Sequence, residues 1–128
     1  MVLQRGAPLH IWGTADAGEE VSIKFGPRTF SATADDDGSW KIGLPPLKAD
    51  GGKSHKMTIK GRNTIVLEDI LIGDVWIGSG QSNMEWNLNQ SEGRDKFIKE
   101  ANHPGVRLFH IPKKQFDTPQ ADVEAKWK

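Results

Sequence analysis

The stretch IGDVWIGSGQSNMEW, residues 72–86, places one hydroxyl, that of Ser82, where it could do chemistry. An apolar run, Val75-Trp76-Ile77, leads straight into the small polar cluster Gly78-Ser79-Gly80-Gln81-Ser82-Asn83. The run reads as a strand buried on both faces, and the cluster as a sharp turn from strand into helix. A serine on such a turn stands at the carboxyl end of a parallel strand. The free N–H groups of the following helix then point at an oxygen that becomes negative when the hydroxyl attacks a carbonyl. The chemistry this suits is nucleophilic acyl transfer, with Ser82 as nucleophile. Gln81 and Asn83 either hydrogen-bond substrate or brace the turn. The Gly-x-Ser-x-Gly elbow is not met, because Gly80-Gln81-Ser82-Asn83-Met84 has methionine where the second glycine belongs. The competing role for Ser82 is a helix N-cap, whose hydroxyl satisfies a free N–H of the first turn.

Activation of a serine needs a base, and four histidines offer one: His10, His55, His103 and His110. His10 and His55 fall among alternating strands, and His103 sits in a helix-stopping Asn-His-Pro. His110 ends a strand-like run, VRLFHI, on the expected side of the sheet. A lone histidine is more often structural than catalytic, so none is assigned as the base. Asp35-Asp36-Asp37-Gly38 lacks the spacing and closing glutamate of a calcium loop, and it reads as a solvated hairpin turn. No metal site is expected. Trp12, Trp40 and Trp76 lie in strand patterns and are expected in the core. Trp86 is expected to pack its helix on the sheet.

The elements that must position Ser82 follow from periodicity. Val21, Ile23 and Phe25 alternate with polar residues, as do Trp40, Ile42 and Leu44, and then Met57 and Ile59. Period-2 alternation sends one set of side chains into a core and the other into water. Many short strands between Gly-, Pro- and Asp-rich turns predict an antiparallel β-sandwich over residues 1–68. After Glu68 the sequence DILIGDVWIGSG no longer alternates. Helix formers follow, with Phe97, Ile98 and Ala101 on one face, and then VRLFHI. Residues 69–128 therefore read as the first strand-helix-strand unit of an α/β domain, giving a mixed fold. Two parallel strands and one crossover leave a sheet unfinished, so the remainder of a catalytic domain is an expected partner.

Composition narrows the partners. Seventeen Lys plus Arg balance seventeen Asp plus Glu, which leaves no cationic field for nucleic acid. The longest apolar runs fall far short of the about 20 residues of a membrane-spanning helix, and no membrane partner is expected. Without cysteine there are no disulfides or thiolate metal sites.

The block SGQSNMEW resembles the first conserved block of the SGNH hydrolases, in the branch of carbohydrate O-acetylesterases that includes the sialate O-acetylesterases. MVLQR, IWG, DGSW, GDVWIGSGQSNMEW and VRLF stand in that family's order, and Trp127 fits its next landmark. The resemblance implies a β-sandwich beside an SGNH catalytic domain, with Ser82 as nucleophile and its backbone N–H as one oxyanion donor. It further implies an O-acetylated sugar such as sialic acid as substrate, no cofactor, and a periplasmic, secreted or lysosomal setting. The family takes its other oxyanion donors from later blocks and its base from an Asp-x-x-His block. No Asp-x-x-His spacing occurs in these residues. The chain is therefore expected to be the N-terminal part of such an esterase, with Met1 an internal methionine, and to be inactive alone. The alternative is a non-catalytic β-sandwich module that binds glycan or docks another domain.

Overall fold

Seven strands form where the alternating runs stand. They are β1 (Val2–Gln4), β2 (Leu9–Thr14), β3 (Glu20–Phe25), β4 (Arg28–Thr33), β5 (Ser39–Leu44), β6 (His55–Lys60) and β7 (Thr64–Gly73). The computed structural model describes residues 1–128 and divides them into two units, Met1–Val75 and Trp76–Lys128. In the first unit, β1-β7-β6-β3-β4 make one sheet and β2-β5 a second. The inward set of the alternation is buried: Val21, Ile23 and Phe25 on β3, Trp40, Ile42 and Leu44 on β5, and Met57 on β6. All other pairs are antiparallel, but β1 runs parallel to β7, so the larger sheet is mixed.

Two turns differ in kind. Gly26-Pro27 joins β3 to β4 as a two-residue hairpin with Phe25 opposite Arg28, and Gly26 takes φ +58°. Asp37-Gly38, expected as a second hairpin, instead carries the chain from one sheet to the other. β4 pairs with β3, whereas β5 pairs with β2 and turns Trp40, Ile42 and Leu44 onto the core. The turn is closed by Gly38 N–H donating to Asp35 O (2.8 Å) and Ser39 N–H donating to Asp37 Oδ1 (2.8 Å). That bond to Ser39 holds the Asp37 carboxyl below its ordinary range.

The break in pattern after Glu68 has a different cause from a new domain. Met57 lies opposite Leu67 and His55 opposite Ile70, so one residue of β6 faces two of β7. This is a β-bulge, and Asp69 within it takes φ +51°. The bulge shifts the phase of the alternation by one residue. Leu67 before it and Ile70 and Ile72 after it can then all pack on the core. Residues 69–73 consequently belong to the sandwich, and the structural division falls between Val75 and Trp76.

The second unit has two short 3-10 turns, Ser82–Glu85 and Leu88–Gln90, and one helix, α1 (Arg94–Glu100). VRLFHI, expected as a strand, is reduced to a single antiparallel bridge from Phe109 to Trp127, their rings 5.2 Å apart. The expected buried strand at Val75-Trp76-Ile77 is absent; the three are 42 %, 89 % and 92 % exposed. A strand is held by hydrogen-bonded neighbours, and no segment of the chain pairs with 75–77. The strand-helix-strand unit read from the sequence is therefore not formed as regular structure. No helix is long and apolar enough to cross a membrane.

Candidate active site

Ser82 is the first residue of its 3-10 turn, not a capping residue in front of it. The capping position is Gln81, and no side chain caps the turn. The turn is closed by Met84 N–H donating to Gln81 O (2.9 Å) and Trp86 N–H donating to Asn83 O (3.3 Å). The N-cap role for the Ser82 hydroxyl is thus not taken up, and both the hydroxyl and the backbone N–H of Ser82 are without a protein partner. Gln81, Ser82 and Asn83 are all exposed. The turn that carries the candidate nucleophile is 3-10, closed by bonds between residues three apart.

Two contacts fix this turn within its unit. The Met84 side chain folds back on the preceding loop: a β-carbon built on Gly80 would lie 2.7 Å from Met84 Cγ, and one on Gly78 would lie 3.2 Å from Met84 Cε. Glu85 accepts a hydrogen bond from Lys113 Nζ at 2.5 Å. That pair holds the Glu85 carboxyl below, and the Lys113 ammonium above, its ordinary range. Neither contact was legible in the sequence. Met84 departs from the Gly-x-Ser-x-Gly elbow but does not by its type reveal which residues it packs on, and an ion pair between residues 28 apart in the chain leaves no local signal.

The structure gathers no histidine into a bond with Ser82. His10 is exposed on β2, and His55 Nε2 bonds Asp50 Oδ2 at 2.7 Å beside the Phe25 ring. His103 and His110 are exposed. Of the tryptophans, Trp40 is in the core as expected. Trp12, Trp76 and Trp86 are 72 %, 89 % and 63 % exposed. Trp12 misses the core because it shares the outer face of β2 with His10 and Thr14, while Leu9 and Ile11 pack inward. Trp86 follows the 3-10 turn in extended backbone and packs on no other aromatic ring.

No family model matches the chain. Among curated relatives, the sialate O-acetylesterase of Rattus norvegicus is 32% identical over 136 residues, covering 97% of this chain and 25% of that protein. The sialate O-acetylesterase of Homo sapiens is 32% identical over 138 residues, covering 98% and 26%. The crystal structure of a novel carbohydrate acetylesterase from Xanthomonas citri superposes with TM-score 0.91 at 33% identity, over 99% of this chain and 29% of that one. The chain thus spans about a quarter of the length of the relatives it matches. In both sequence and backbone, then, the chain is similar to a segment of the sialate O-acetylesterases and of this carbohydrate acetylesterase.

Proposed function

We propose that these residues carry the nucleophile of a serine carbohydrate O-acetylesterase of the SGNH type, with residues 76–128 opening its catalytic domain. The reading is supported above all by Ser82, whose hydroxyl is exposed, uncapped and unpartnered at the start of its turn. Ser82 Oγ attacks the carbonyl carbon of an acetyl ester on a sugar such as sialic acid, and its proton passes to an imidazole base supplied by the rest of the catalytic domain. The negative oxygen of the tetrahedral intermediate accepts from the Ser82 N–H and from donors elsewhere. Collapse releases the sugar hydroxyl and leaves an acetyl-serine, which water hydrolyses to acetate. On this reading Gln81 and Asn83, both exposed, hydrogen-bond the sugar.

Losing the base of such a system costs several powers of ten in rate. The 128 residues alone should therefore release almost no acetate from an acetylated sugar. The decisive experiment fuses them to the Xanthomonas citri carbohydrate acetylesterase in place of its matching segment. Acetate release by the fusion, abolished by Ser82→Ala, is the expected result; activity that survives Ser82→Ala overturns the assignment.

A second reading rests on Trp12. Its indole is exposed on the outer face of β2 opposite Lys41, an aromatic surface beside a cation that suits an acidic sugar. On this reading the sandwich also binds glycan. Titration of residues 1–75 with sialic acid should then quench tryptophan fluorescence, and Trp12→Ala should remove the response. An unchanged spectrum at millimolar sugar would dismiss the second reading.

A further inference from the structure

Gly78 and Gly80 precede the candidate nucleophile, and neither takes a left-handed φ. Backbone conformation therefore does not require glycine at either position. Space does. A β-carbon on Gly80 would stand 2.7 Å from Met84 Cγ and 3.8 Å from Met84 Sδ, and one on Gly78 would stand 3.2 Å from Met84 Cε. Contacts below 3.0 Å force something to move, and Cγ is too near the backbone to swing away without changing χ1. Met84 lies two residues after Ser82, and Gly80 lies two residues before it.

In the common nucleophile elbow, glycine two residues after the serine lets backbone approach backbone. Here that position holds a long, unbranched side chain that fills an irregular gap, and the space it needs is left by glycines on the other side of the serine. We propose that Met84 is a positioning residue for the esterase reaction, a clamp seated on Gly78 and Gly80 that fixes the loop presenting Ser82. The proposal rests on Ser82 being the nucleophile. On this proposal Met84, itself partly exposed, acts through the backbone on both sides of the serine and not by contact with substrate.

The test has a catalytic arm and a structural arm. In the fusion enzyme described above, Gly80→Ala should lower kcat by about a hundredfold while KM stays within about twofold, the signature of a displaced nucleophile and not of lost substrate contacts. Met84→Leu, of similar volume, should keep kcat within about threefold. Met84→Ala should lower kcat and, combined with Gly80→Ala, restore part of what Gly80→Ala loses, because the smaller side chain vacates the space of the new methyl. Additive losses in the double variant, or a fall confined to KM, would overturn the clamp. In the same fusion enzyme, nuclear Overhauser contacts from the Met84 methyl to the Gly78 and Gly80 α-protons are expected, and their absence would also overturn it. Survival of activity in Ser82→Ala with these contacts present would instead remove the nucleophile assignment and leave the packing intact.

Discussion

At the scale of single residues, the chain uses glycine in two physically distinct ways. Gly80 leaves room for a neighbouring side chain, whereas Gly38 supplies both conformation and room. Gly38 takes φ +79°, and a β-carbon there would lie 2.6 Å from Ala15 O, the carbonyl of a residue whose own N–H donates to Gly38 O at 2.9 Å. The obstacle is backbone held in place by a hydrogen bond, so it cannot yield as a flexible side chain does. Gly38→Ala should therefore lower stability by about 1–3 kcal/mol, seen as a lower urea midpoint with an unchanged m-value. A shift within error of zero would show that the sheet-to-sheet corner relaxes freely. Core truncation gives a second residue-scale outcome. Ile23 is fully buried between β4 and β6, and Ile23→Ala should cost about 2–5 kcal/mol in the same measurement.

At the scale of elements, what the sequence disclosed depended on whether period 2 ran unbroken. On β3 and β5 it did, and Val21, Ile23, Phe25, Trp40, Ile42 and Leu44 are buried as the alternation requires. On β7 the bulge at Asp69 moves the inward set from Leu67 to Ile70 and Ile72, so the segment reads as continuous apolar sequence and mimics a new domain. Trp12 shows the opposite failure: its hydrophobicity suggested a core position, while its place in the alternation with Leu9 and Ile11 put it outside. For the candidate site, the serine and its turn were readable from local residue types, but Met84 against Gly80 and Glu85 with Lys113 exist only in three dimensions. The strand ends also predict how the sandwich responds to acid. Arg5 Nε and one terminal nitrogen donate to the two oxygens of Asp74 at 2.9 and 3.0 Å, tying the end of β1 to the residue after β7 and lowering the Asp74 pKa. Asp37 is lowered too, chiefly by the Ser39 N–H. A carboxyl whose folded pKa lies below its unfolded value stabilises the fold above the unfolded pKa, near pH 3.9 for aspartate, and that contribution fades as pH falls through the folded pKa. The urea midpoint of residues 1–75 should accordingly drop below about pH 4. Asp74→Asn should flatten the acid limb, and added salt should shrink the Asp74 share because the pair is exposed to screening. An acid limb identical in the Asp74→Asn variant would remove the ion pair from the account.

At the scale of the whole molecule, burial is distributed so unevenly that the two units must differ in kind. Every buried residue of the chain, from Val21 to Ile72, lies in Met1–Val75. In Trp76–Lys128 none is buried, and Trp76, Ile77, Leu108 and Ile111 are each more than three-fifths exposed. Apolar burial is the main favourable term in folding, so a cooperative transition can come only from the first unit. Yet the backbone of 99% of the chain matches a solved carbohydrate acetylesterase in which it makes up 29% of the length. The second unit thus has a defined backbone but no buried core of its own; under the proposed function, its apolar side chains are covered by further parts of a catalytic domain. Residues 1–75 expressed alone should unfold in a single transition with a midpoint within a few degrees of the 128-residue chain, followed by circular dichroism. In hydrogen exchange, amides of β3, β5 and β6 should be protected to the level of global unfolding, while those of 76–128 exchange far faster. Fusion to the rest of the Xanthomonas citri acetylesterase should then slow exchange across 76–128 and leave β3, β5 and β6 unchanged. Protection of 76–128 in the chain by itself would mean that the unit draws stability from something other than apolar burial, and the covering role given to the catalytic domain would fall.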